Sequence, residues 1–142
     1  MLWVVVQTFS LHVQVENLHY NYEVRVVMRL IQTSKHRGFF KVMTSTREAQ
    51  AAMMVLRPGQ SSSGEPDDEH PWAEQWLFVI SGTGRARVGR RSVSLKSNSL
   101  LVIEKGEVHQ ITNTGRRALV SINMYVPPAY TQDGELRRPP GR

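Results

Sequence analysis

Between Phe39 and Val126 the apolar residues fall in short runs, the first closed by Arg47-Glu48-Ala49 and the others by turns that contain glycine, proline or asparagine, before any is long enough to make a helix. Runs of that length, alternating or continuously apolar, fit half-buried or buried strands. The segments read as strands are 39–46, 50–56, 75–80, 85–88, 92–95, 100–103, 108–112 and 118–126. Turn signals separate them at Arg57-Pro58-Gly59, Ser81 to Gly84, Gly89-Arg90 and Asn113-Thr114-Gly115. About eight or nine strands at this spacing, with no amphipathic helix among them, predict an antiparallel barrel or jelly roll.

The ends of the chain read differently. Residues 1–38 are rich in β-formers, with Leu11, Val13 and Val15 alternating, and Tyr22, Val24, Val26, Met28 and Leu30 alternating over a longer run. Two readings stand for this extension. It is an added β-ribbon turning at 16–21, or Met28 is the native start and residues 1–27 are an upstream segment. After Pro127-Pro128 the tail 129–142 is polar, rich in Pro and Gly, and expected to be irregular. The barrel is therefore expected over 39–128.

At 142 residues one domain is the expectation. Absence of cysteine excludes disulfides and thiolate metal sites and suits a reducing cytoplasm. The apolar run Leu2 to Val6 is too short for a membrane span, so no membrane partner is expected. The net charge of +6 raises the question of nucleic acid. Yet five of the twelve acidic residues (Glu65, Asp67, Asp68, Glu69 and Glu74) fall in a stretch without Lys or Arg, which repels phosphate. The arginines gather elsewhere with no helical reader or interleaved aromatics, so they read as solvated surface and no nucleic-acid partner is expected.

Chemistry concentrates at 68–75 and 104–113. On a strand alternate residues share a face, so Gln75, Leu77 and Val79 point one way and His109 and Ile111 point together. Asp68 and His70, two apart, project together if their segment is extended. Four donors, Asp68, His70, Gln75 and His109, then converge at the mouth of an apolar pocket. Two imidazoles with a carboxylate suit a divalent metal ion, Fe, Mn, Ni or Zn. Gln75 is either a fourth ligand or a partner that orients a bound water. Asn123 and Tyr125 share a face near the end of the last strand and join the pocket if that face is internal. His12, His19 and His36 read as surface residues, and Trp72, Met53 and Met54 as packing.

Over 39–134 the chain resembles the cupin superfamily, in particular the small single-domain cupins labelled mannose-6-phosphate isomerase-like. The family's second motif, G(X)5PXG(X)2H(X)3N, is met in register by Gly106, His109 and Asn113, with Asn98 at the first glycine and Glu104 at the proline. Its first, G(X)5HXH(X)3-4E(X)6G, is met by His70 and Gly82, with Asp68 at the first histidine and Gln75 at the glutamate. His70-Pro71, Glu74-Gln75-Trp76 and Tyr125-Val126-Pro127-Pro128 resemble one branch of these proteins.

The resemblance implies an all-β, single-domain cupin, a double-stranded β-helix jelly-roll barrel. It implies a divalent metal held by His70 and His109 with Asp68 and Gln75, and a metalloenzyme, dioxygenase-like or isomerase-like, acting on a small organic molecule. The alternative is a non-catalytic small-molecule (sugar-like) binding or sensing cupin, because the donor set departs from the usual one. The face carrying Trp76 and Phe78, with open strand edges, predicts a homodimer, as the resemblance also implies.

Overall fold

The computed structural model describes residues 3–11 and 22–139. Two compact units divide between Lys35 and His36. In the first, β1 (Trp3–Leu11) and β2 (Tyr22–Leu30) pair antiparallel, with Trp3 opposite Leu30 and Leu11 opposite Tyr22, and a single 3-10 turn follows at Thr33–Lys35. Val13, Val15 and the turn expected at 16–21 lie outside the described residues, as do His12 and His19.

The second unit contains β3 (Phe40–Ser45), β4 (Gln50–Leu56), β5 (Glu74–Ser81), β6 (Thr83–Val88), β7 (Arg91–Lys96), β8 (Leu100–Ile103), β9 (His109–Asn113) and β10 (Leu119–Val126). They form a five-stranded sheet in the order β3-β4-β10-β5-β8 and a three-stranded sheet in the order β7-β6-β9. Every pairing is antiparallel. This is the jelly-roll arrangement that the short alternating segments predict. Val88 and Arg91 pair across the two-residue turn Gly89-Arg90, as the hairpin signal requires.

The core forms where the inner faces of the two sheets meet. Leu56, Leu77, Val79, Ile103 and Leu119 come from the larger sheet and Ala86, Leu95 and Ile111 from the smaller. Each fully buried Leu, Ile or Val side chain contributes roughly 1.5–3 kcal/mol, so this layer dominates the hydrophobic stabilisation. Leu77 and Val79 were expected to line the pocket. They lie within this packed layer instead, both at 0% exposure, because the alternation that turns them inward carries them into contact with the facing sheet.

The long polar loop between β4 and β5 runs along the outer edge of β9. Gly59 N–H donates to the Asn113 carbonyl at 3.0 Å and Ser62 N–H to that of Ile111 at 2.8 Å. Asp67 and His109 exchange both backbone bonds, at 3.2 and 2.8 Å. β9 is thereby hydrogen-bonded on both sides, and this loop cannot drift away from His109. Asn98, which stands at a glycine position of the sequence motif, has φ 68°, a left-handed conformation that asparagine tolerates far better than most residues.

Candidate functional site

A cavity of about 290 Å³ opens at one end of the barrel. β5 supplies Gln75, β9 supplies His109 and Ile111, and β10 supplies Tyr125. The loop before β5 adds Asp67, Glu69 and His70, and the segment after β10 adds Tyr130, Asp133 and Gly134. Phe39, Phe40, Met54, Ser62 and Ser63 complete the wall.

His70 and His109 lie side by side, with ring centroids 5.3 Å apart. His109 opens β9 directly after the turn at 104–107, and its Nδ1 lies 2.8 Å from the Glu107 carbonyl oxygen. A carbonyl only accepts, so Nδ1 carries the proton and Nε2 holds the lone pair in the neutral ring. His70 is packed edge-on against Tyr125, with centroids 5.0 Å apart, and its Nδ1 is buried without a hydrogen-bond partner.

Gln75 is fixed by a chain of amides. Its Nε2 donates to Asn123 Oδ1 at 2.9 Å, and Asn123 Nδ2 donates to Ser121 Oγ at 3.2 Å. The Gln75 amide oxygen is therefore the atom left for a ligand. Asn123 is 0% exposed and stands behind Gln75, so it positions a wall residue and does not line the cavity as expected.

Of the four expected donors, His70, Gln75 and His109 line this cavity and Asp68 does not. Its neighbours Asp67 and Glu69 do. Asp67 is held opposite His109 by the backbone exchange, and the irregular chain that follows brings both Glu69 and His70 to the cavity while Asp68 stays off its wall. Among the described residues no three His, Asp or Glu side chains come together as a metal cage. The candidate donors are two imidazoles and an amide oxygen.

Sequence reasoning missed Tyr130. Its backbone is clamped by Gln50, whose Nε2 donates to the Tyr130 carbonyl at 2.7 Å and whose Oε1 accepts from Tyr130 N–H at 3.0 Å. Its hydroxyl donates to Glu69 at 3.2 Å. The tail expected to be irregular thus begins with a buried pair, Ala129 and Tyr130, and a bridge from Tyr130 to Leu136. The available signal was an Ala-Tyr pair directly after Pro127-Pro128 in an otherwise polar tail. Burial pushes the Tyr125 and Tyr130 hydroxyls far above the usual phenol range, so both keep their protons and serve as hydrogen-bonding groups. His36, expected at the surface, is half-buried with Nε2 unpartnered, away from this cavity.

Burial holds the His70 imidazole below its ordinary value of 6.5, assisted by the charge of His109 and partly offset by Asp68. Above that value both folded and unfolded states are neutral and no penalty arises. As pH falls through it the unfolded chain takes up the proton first, so stability drops until the folded ring also titrates. Metal-free wild type is expected to lose more in Tm between about pH 7.5 and about pH 5.5 than His70→Gln does. Equal losses would mean that the ring titrates as it does in water.

Residues 52–125 match the family model for the cupin domain. Over 60 residues the chain is 32% identical to tetracenomycin polyketide synthase protein TcmJ of Streptomyces glaucescens. That alignment covers 42% of this chain and 38% of TcmJ, so the chain spans well under two thirds of this relative's length. Among solved structures, BH2720 of Bacillus halodurans is similar with a TM-score of 0.64 at 25% identity, over 74% of this chain and 81% of that one. A double-stranded β-helix protein of Klebsiella pneumoniae gives 0.57 at 19% identity, over 78% and 91%. At that identity the second likeness is one of fold.

Proposed function

The chain belongs to the cupin-domain family, and on that premise we propose that its cavity binds a divalent metal at His70 and His109 and acts on a small organic molecule. The observation that carries this reading is the pair of adjacent imidazoles on one cavity wall, with His109 held in a single tautomer by Glu107. Two rings about 5 Å apart suit neighbouring positions on one ion at usual metal–nitrogen lengths. The unpartnered His70 Nδ1 adds a buried lone pair or proton that a ligand would satisfy. Gln75 offers its amide oxygen as a third contact or to a bound water. Fe, Mn, Ni or Zn in such a site supplies Lewis acidity towards a ligand oxygen, the basis of oxygenase-like or isomerase-like chemistry. The Tyr130 hydroxyl keeps its proton and donates it in a hydrogen bond to Glu69 at the cavity wall. Similarity to a polyketide synthase protein supports a small organic ligand, and the motifs at His70-Pro71 and Glu74-Gln75-Trp76 support the mannose-6-phosphate isomerase-like group.

Elemental analysis of protein purified without chelator or nickel resin tests this reading. A near-stoichiometric divalent ion is expected. No metal, and none taken up on titration, favours the second reading, a non-catalytic small-molecule binding or sensing cupin. The absence among the described residues of a third ionisable donor beside the two imidazoles speaks for that alternative.

We also propose a homodimer through the outer face of the five-stranded sheet. Register places Met124 beside Trp76 and Trp76 beside Val102, with Ile80, Leu100 and Val126 on the same face, and all six are exposed. A contiguous apolar face of this kind marks an interface, and a second copy offers the same surface. Sedimentation at micromolar concentration is expected to give a dimer that Trp76→Glu with Met124→Glu converts to monomer. A wild-type monomer would refute the interface.

A further inference from the structure

We propose that the cavity accepts uncharged or cationic molecules carrying a flat ring and rejects carboxylates and phosphate esters. The inference rests on reading the cavity as a small-molecule site and narrows the ligand class. Three carboxylates, Asp67, Glu69 and Asp133, line the cavity, and among the described residues no lysine or arginine does. Glu69 and Asp133 are exposed while lining it, which puts them at its mouth beside the exposed ring of Phe39. Arg137, on the same tail segment, spends its Nε on the Tyr130 carbonyl at 2.6 Å and is not part of the wall.

An anion entering this mouth gives up water and meets like charge with no cation to replace its hydration. A cation meets the carboxylates and an aromatic lining of Phe39, Phe40, Tyr125 and Tyr130, and aromatic rings attract cations through their quadrupoles. Phe40 and Tyr130 stand 4.8 Å apart at 56°, forming a two-ring wall for a flat ligand. The chain as a whole carries +6, so this preference is local to the cavity and opposes the overall charge. With a metal bound at His70 and His109, Glu69 and Asp133 still stand at the mouth that an anion must pass. A substrate oxygen meeting such a metal would then be a hydroxyl or carbonyl, and phosphorylated sugars would be excluded despite the isomerase-like motifs.

The test uses three probes with one two-ring frame: 2-naphthylmethylamine, 2-naphthylmethanol and 2-naphthoate. Each is titrated against the protein as purified and after chelation, followed by ligand-observed NMR. The amine and the alcohol are expected to bind, with naphthoate at least about tenfold weaker in both states. Asp133→Lys, on an exposed turn with no side-chain partner among the described residues, is expected to narrow that gap to within about threefold. Naphthoate binding as tightly as the amine, or a gap unchanged by Asp133→Lys, overturns the charge selection and leaves the small-molecule site standing. Failure of all three probes to bind sinks the site and this inference together.

Discussion

Replacing His109 by alanine is expected to take the protein from roughly one divalent ion per chain to nearly none, with metal affinity reduced by at least about 100-fold. The magnitude follows from the small donor set. In the proposed site His109 would supply one of two nitrogen donors, and its tautomer is fixed by the Glu107 carbonyl, so the lone pair at Nε2 is ready without reorganisation. With no third histidine or carboxylate gathered there among the described residues, nothing on the wall compensates for its loss. His70→Ala should do the same. Asp68→Asn, by contrast, should change metal content little, because Asp68 does not reach the cavity. Metal retained by the His109 variant would move the binding site elsewhere.

Gly82→Ala is expected to cost about 3–5 kcal/mol of stability, a large fraction of the total in a domain of ordinary stability. Gly82 has φ +92°, a conformation strained for any L side chain. A β-carbon there would also collide with the Ala118 carbonyl oxygen and lie 2.8 Å from Leu119 Cα, and backbone cannot move aside cheaply. Gly59 is the control. Its φ is +79°, but a β-carbon meets nothing within 4 Å, so Gly59→Ala should cost only about 1 kcal/mol. Chemical denaturation of both variants reads the difference directly. Similar small losses in the two would mean that the strand end beside Gly82 yields.

The strands were legible because their signals are local. β4 and β8 have the bounds that their apolar runs and flanking turns predict, and β5 and β10 differ only by a residue or so at an end. The tail around Tyr130 was not legible, because its order comes from Gln50, 80 positions earlier in the chain. No periodicity within the tail records that contact. The loop before β5 posed the same difficulty. Its pairing with β9 joins residues 42 to 51 positions apart and brings Asp67 beside His109.

An all-β jelly roll, and the placing of His70, Gln75 and His109 towards one pocket, follow from alternation and turn chemistry, which act over a few neighbouring residues. That Asp67 and Glu69 line that pocket in place of Asp68 follows from contacts between distant segments. The tertiary structure also decided that Leu77 and Val79 are core, that Asn123 holds Gln75 from behind, and that Tyr130 closes the wall. Each of these depends on hydrogen bonds or packing between segments brought together only when the two sheets close on each other.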